Sequence, residues 1–322
     1  MTLTKLLTEP ASFKFSTVPG YFLQDEPTTD PNSFDYVSPY ASRYHIVDTR
    51  QTQSTNETPQ SSTNFGLISR KYDSETVMSQ NGTQWQRFAQ HITHLNETAG
   101  PQFKYKVLFL GRHGEGVHNV AERRYGTKAW DEYWSLLDGD EYGTWLDAHL
   151  TKVGIAQAQT AHDTWARQLE FGIPTPQSYY VSPLHRCCQT AQVTFEGLDM
   201  PLTNPFQPLV KELLRETMGE HTCDRRSTKS AIATDFPRFR FEPRFTEEDE
   251  LWDPKVRETD EHRDRRLLAL LNDVFAADEN VFLSLTAHSG AITSILEVVG
   301  HRKFPLATGA VIPVVVKAQN RA

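Results

Sequence analysis

Cysteine is scarce in this 322-residue chain: Cys187, Cys188 and Cys223 are all it holds. An odd count with an adjacent pair builds no disulfide framework, so the expected setting is a reducing one, cytoplasmic and open to the nucleus. Long apolar runs are missing too. None approaches the roughly 18 residues that a membrane-spanning helix needs, so no membrane partner is expected. The stretch from Met1 to Phe15 carries Lys5 but no apolar core of a secretory signal. The glycosylation sequons at Asn56, Asn81 and Asn96 are therefore read as chance matches. An excess of positive charge is also absent: 33 Lys and Arg stand against 41 Asp and Glu, a formal net charge of -8. That argues against nucleic-acid binding, which depends on surplus cations. A small anionic ligand stays compatible, because a local cationic pocket can sit in an acidic protein. No internal repeat is visible.

What is present divides near Gly100. Residues 1–100 are rich in Ser, Thr, Asn, Gln and Pro, and Gln51 to Asn64 reads as a mobile loop. The same region holds Phe13, Phe15, Tyr21, Phe22, Phe34, Tyr36, Tyr40 and Tyr44, a density of aromatics that packs on something. Trp85, Phe88, Ile92 and Leu95 recur at helical spacing. The expectation is an irregular extension, partly mobile, wrapped on a catalytic domain of residues 101–322.

From Pro101 onward strands and helices alternate. Lys106–Leu110 reads as a buried strand ending in Gly111-Arg112-His113-Gly114-Glu115-Gly116. Thr151 caps a helix that Gly172 and Pro174 close. Ser178–Val181 reads as a strand, followed by a helix with Ser182 as N-cap and Pro183 at its first position. Pro208–Lys211 suggests a short strand, and Asp253-Pro254 the start of a helix reaching Phe275. Val281–Thr286 is a strand that passes directly into His288-Ser289-Gly290 and another helix, and Val311–Val316 a late strand. This alternation predicts a three-layer α/β/α sandwich with a mostly parallel central sheet.

Such sheets bind ligands outside the carboxyl ends of their strands. Here three strand ends carry chemistry: His113, then Arg186 early in a helix, then His288. In a parallel sheet they share one edge. A single histidine after a strand is usually only a polar turn residue, but three such motifs at one edge make coincidence a poor account. Neutral imidazole is a nucleophile near neutral pH, and arginine meets phosphate oxygens with a planar fork. The alternatives are weaker. Glycines 111, 114 and 116 match neither nucleotide-binding fingerprint. His221-Thr222-Cys223-Asp224 falls short of a four-ligand zinc site, so no metal and no cofactor is expected. Cys187 and Cys188 read as packing residues, and Glu247-Glu248-Asp249-Glu250 as a solvated face.

Arg112-His113-Gly114 resembles the signature of the histidine phosphatase, or phosphoglycerate-mutase-like, superfamily. The stretch Arg112-His113-Gly114-Glu115-Gly116-Val117-His118-Asn119, with Leu150-Thr151-x-x-Gly154-x-x-Gln157-Ala158 and Leu214-Arg215-Glu216-x-x-Gly219, is similar to its fungal and plant phosphomutase-like branch. The resemblance implies that His113 accepts the phosphoryl group while Arg112, Asn119, Arg186 and His288 surround it. Loss of either arginine is then expected to cost on the order of 3 kcal/mol in transition-state energy. It also implies a general acid in the segment of Glu216, ahead of Glu212, Glu220 and Glu115. Beyond the phosphate, Arg123, Arg124, Tyr125, Arg225, Arg226 and Ser289 are expected to contact the rest of a small phosphate ester.

Three activities follow as expectations. Little chain remains after Val316 to shield a phosphoenzyme from water, which favours a phosphatase over a phosphoglycerate-type mutase. A partner-binding module of a regulatory complex is the reading of another class, with the N-terminal extension as its surface. The identity of the ester and the oligomeric state are open at this stage.

Overall fold

The computed structural model of the chain describes residues 12–34, 64–75 and 81–321. The expected mobile loop lies outside the described residues except for Asn64, as do Tyr36, Tyr40 and Tyr44.

Among the described residues the first elements are strand β1 (Phe13–Thr17), helix α1 (Gln84–Thr98) and strand β2 (Phe103–Arg112). Helices α2 (Val117–Tyr125) and α3 (Thr127–Glu132) precede a small hairpin of β3 (Gly139–Asp140) and β4 (Gly143–Thr144). Next come α4 (Lys152–Glu170), β5 (Ser178–Val181), α5 (His185–Phe195) and β6 (Leu209–Val210). The remainder is α6 (Lys229–Asp235), β7 (Arg240–Phe241), α7 (Asp260–Ala277), β8 (Phe282–Ala287), α8 (Ser289–Val298) and β9 (Val311–Asn320).

Among the described residues seven strands form one sheet in the order β1-β9-β2-β8-β5-β6-β7. The run from β2 to β7 is parallel; β9 is antiparallel to both β2 and β1. Helices cover both faces, with α4 packed on α5 and α7 on α8. This is the expected three-layer, mostly parallel sandwich. Strands covered on both sides need apolar residues throughout rather than in alternation. Accordingly Val107–Leu110 of β2 and every residue of β8 are buried.

The region before Gly100 contributes regular elements to this core. β1 extends the sheet along β9, and Phe15 meets the Phe275 ring edge-on at 5.0 Å between centroids. α1 buries Trp85, Phe88 and Ile92, at the spacing read from sequence, and Thr83 caps it. Phe22 and Phe65 join the same apolar cluster.

Two helix starts differ from expectation. α5 begins at His185 after Leu184, and the Ser182 hydroxyl lies 2.7 Å from Nε2 of His288. α7 begins at Asp260, where the Thr259 side chain accepts the His262 N–H; Asp253-Pro254 lies in an irregular segment before it. The acidic run corrects likewise: the Asp249 carboxylate is buried, taking two guanidinium bonds from Arg215 at 2.6 Å each.

Candidate active site

The parallel registry Arg112↔Ala287 and Val181↔Thr286 brings the ends of β2, β8 and β5 level. The ladder runs on past the strands: the His113 N–H donates to the Ala287 carbonyl, and that of Ser182 to Thr286, both at 3.0 Å. His113 and His288 therefore emerge side by side, ring centroids 5.1 Å apart and edge to face. The turn after His113 needs glycine. A Cβ on Gly114 would lie 2.2 Å from the Gly154 carbonyl oxygen, so its absence lets the turn press against the start of α4.

His113 is 2% exposed. Its Nδ1 lies 2.7 Å from the Gly114 carbonyl oxygen. A carbonyl only accepts, so Nδ1 carries the proton and Nε2 keeps its lone pair. Burial, and then the charges of Arg186 and Arg112, hold the imidazole well below its ordinary pKa of 6.5. It is neutral near neutral pH. His288 is equally depressed, by burial and then Arg186. Its Nε2 lies 2.7 Å from the Ser182 hydroxyl and 3.3 Å from Sγ of Cys187, the helical cysteine expected to serve packing alone.

Two arginines supply the positive charge. Arg186 lies one residue into α5 and is 1% exposed, donating to the Cys223 carbonyl at 2.6 Å and to Asp224 at 2.8 Å. Burial works against its charge, but Asp224, joined by Cys223, Cys187 and Glu216, more than offsets this and its pKa rises above the ordinary value. Arg112 ends β2 and donates to the Leu306 carbonyl at 2.5 Å. Burial lowers its pKa, with the nearby Glu216 carboxylate opposing. The Nε atoms of both arginines are buried with no partner among the described residues. Buried donors of this kind normally find an acceptor.

Glu216 stands at the rim. Its carboxylate accepts the Gly290 N–H at 3.0 Å, at the N-terminus of α8, and the Thr217 N–H at 2.9 Å. Its charge acts on Arg112 and Arg186 alike. Two rival carboxylates are committed elsewhere: Glu115 to Arg123 and Thr151, Glu212 to Arg215 and Arg226. Ser289 is the first residue of α8, next to His288. Asn119, in the first turn of α2, accepts the Gly116 N–H at 2.9 Å.

The remaining expected contacts are not drawn into this cluster. Arg123 pairs with Glu115; Arg124 pairs with Asp140 and lies over the Tyr142 ring; the Tyr125 ring stacks on Trp134. Arg225 is exposed, 5.3 Å from the centre of the Trp252 ring. Arg226 is buried and its donors all go inward, to Glu212 and to the Thr246, Ser227, Glu247 and Glu248 backbone. It is a structural cation because burial without partners is too costly for a charge. His221, Cys223 and Asp224 place ligand atoms within 4.8 Å of one another. They suit a metal poorly, since both Asp224 oxygens bind guanidiniums and burial pushes the Cys223 thiol far up.

Three participants escaped the reading of the sequence. His118 is buried with its ring centroid 5.5 Å from that of His113; its place one residue before Asn119 was the available signal. Ser182 looked like a helix cap. Asp224, the counter-ion of Arg186, was weighed from sequence only as part of an incomplete zinc set.

Comparison with known proteins follows the same line. The model of the histidine phosphatase superfamily (branch 1) matches residues 132–311. A protein of Arthroderma benhamiae described as a probable phosphoglycerate mutase is 51% identical over 308 residues, 95% of this chain and 85% of that one. Phosphomutase-like protein 3 of Candida albicans is 42% identical over 217 residues, 67% of this chain and 66% of its own. Among solved structures, the ecdysone phosphate phosphatase of Bombyx mori with tungstate matches at 16% identity and a TM-score of 0.42, over 64% of this chain and 87% of that one.

Proposed function

From the chain's membership of the histidine phosphatase superfamily, branch 1, we propose that it is a metal-independent phosphomonoesterase acting on a small phosphorylated metabolite through a phosphohistidine at His113. One observation carries the reading: the His113 Nδ1 bond to the Gly114 carbonyl, which leaves Nε2 as a neutral nucleophile beside the buried Arg186 and the half-buried Arg112. In the first step Nε2 attacks phosphorus, the N–P bond forms and the ester P–O bond breaks. Glu216 gives its proton to the departing oxygen. In the second step Glu216 takes a proton from water as its oxygen attacks phosphorus, the N–P bond breaks and inorganic phosphate leaves. Arg112, Arg186 and His288 hold the equatorial oxygens throughout, which is most of what phosphoryl transfer asks of a protein.

A phosphoglycerate-type mutase shares the first step and is the second reading, favoured by the name of the 51% identical relative. Hydrolysis is preferred on the commitment of the neighbouring cations. Phosphoglycerate carries a carboxylate as well as a phosphate, and Arg123, Arg124 and Arg226 already face Glu115, Asp140 and Glu212.

The test is turnover of a general phosphomonoester with EDTA present, quenched to trap phosphoprotein. An acid-labile phosphoprotein lost in His113→Ala, together with phosphate release, is the expected result. Undiminished activity in His113→Ala sinks the mechanism. Isomer formation from 3-phosphoglycerate exceeding phosphate release makes the enzyme a mutase. Full cellular function of His113→Ala would instead point to a partner-binding role.

A further inference from the structure

Past Leu214 the segment carrying Glu216 has no regular secondary structure to hold it. Its backbone is held by arginines of α7 and the turn before it. Nη1 of Arg266 donates to the carbonyls of Leu213 at 2.8 Å and Arg215 at 3.0 Å, while Nη2 donates to that of Glu216 at 2.8 Å. Nη1 of Arg257 reaches the carbonyls of Thr217 at 3.1 Å and Gly219 at 2.8 Å, and Nη1 of Arg263 the Thr217 hydroxyl at 2.7 Å. The Arg266 guanidinium is aimed in turn by Glu258. That carboxylate accepts Nε at 2.8 Å and Nη2 at 2.6 Å, and also the Met218 N–H at 3.0 Å. Both side chains are buried, Arg266 at 0% and Glu258 at 3% exposure.

A buried ion pair is a poor source of net stability, since desolvation consumes most of its attraction. Its use here is geometric. A guanidinium offers several donors in one rigid plane, and this one spans three carbonyls in four residues. We propose that Arg266, clamped by Glu258, is a positioning residue that sets the Leu213–Glu216 backbone so that the Glu216 carboxylate meets the leaving oxygen. The inference rests on Glu216 being the proton donor. It makes Arg266 matter for esters whose leaving group needs a proton and not for those whose leaving group does not.

The experiment compares kcat/KM, which covers the steps through P–O cleavage, for glycerol 2-phosphate and p-nitrophenyl phosphate. An alkoxide must be protonated as it leaves; a nitrophenolate leaves without help. Glu216→Gln is expected to lose about 100-fold or more on the glycerol ester, in the range of general acid catalysis, and under about fivefold on the nitrophenyl ester. Arg266→Lys keeps the charge beside Glu258 but cannot span the carbonyls. It is expected to lose roughly 30-fold on the glycerol ester, as for a small misplacement of a catalytic group, and under about threefold on the other. Glu258→Gln, which frees the guanidinium while keeping an acceptor for Met218, should show the same selectivity at about tenfold and decides the matter if Arg266→Lys fails to fold. Equal losses on both esters, or none, in the folded variants overturn the positioning role. Equal losses on both in Glu216→Gln overturn the proton-donor assignment instead, whatever Arg266 does.

Discussion

The Ser182 hydroxyl lies 2.7 Å from Nε2 of His288, tying the end of β5 to the end of β8 beneath the candidate phosphate site. Ser182 is completely buried, so its hydroxyl has no water to turn to. The bond fixes the imidazole plane, and Nδ1, the other polar atom of the ring, lies 3.7 Å from Sγ of Cys187. Ser182→Ala is expected to lower kcat tenfold or more with little change in KM, and to cost about 1–2 kcal/mol of stability through the lost bond. Steady-state kinetics and denaturant melts measure the two effects. Unchanged kcat would show that His288 needs no such support.

Gly290 tests the placement of Glu216 from the other side. A Cβ there would lie 2.2 Å from Oε1 of Glu216, so the carboxylate must move. Alanine favours helices over glycine by about 1 kcal/mol, and the fold of Gly290→Ala should be kept. Its turnover is expected to fall roughly 10- to 100-fold, as for an ångström-scale displacement of a catalytic group. Wild-type turnover in a folded Gly290→Ala would remove Glu216 from the mechanism.

Acid should affect stability in two stages. His113, His118 and His288 are held well below their ordinary pKa, chiefly by burial. Unfolding lets them gain protons, so below about pH 6.5 the unfolded state binds more protons and stability declines as pH falls. Asp224, Asp249 and Glu258 are also held low: burial opposes this, but Arg186 with Arg257 at Asp224, Arg215 with Arg226 at Asp249, and Arg266 with its neighbours at Glu258 together outweigh it. Their contribution is complete above an ordinary carboxyl pKa of about 4 and drains away as pH drops through the folded values. Thermal melts from pH 8 to 3 should show a decline that begins near pH 6.5 and steepens below 4. Meanwhile a neutral His113 keeps the acid limb of kcat/KM below pH 6.5. An acid limb at or above that value would mean that His113 titrates like an exposed imidazole.

Phe15→Ala probes whether the strand before Gly100 belongs to the catalytic core. The ring is 8% exposed and packs on Phe275. Its removal is expected to cost about 3–4 kcal/mol, as for large aromatic truncations in cores, within a single cooperative transition. A separate early transition, leaving the main melt unmoved, would instead define residues 1–100 as an independent layer.

Local chemistry made much of this protein legible. The apolar run Val107–Leu110 has no alternation because the strand is covered on both faces, and the helical repeat of Trp85, Phe88 and Ile92 marks one buried stripe. His113, Arg186 and His288 were recognisable because each ends or follows a strand in a parallel sheet, where topology alone makes ends converge. What sequence order does not carry is competition for partners. Nothing near Arg226 in the chain says that Glu212 and four backbone carbonyls claim its donors, or that Asp249 leaves an acidic run to meet Arg215. Likewise Ser182 suits a helix cap by local propensity, yet the tertiary fold offers it His288, 106 residues away. Propensity acts over a few residues, whereas satisfying buried charges and hydroxyls is a condition on the whole packed molecule. The sequence by itself therefore determined the sheet and the gathering of His113, His288 and their arginines at one edge of it. Only the tertiary structure decided which of its many arginines and carboxylates are left to act on a phosphate.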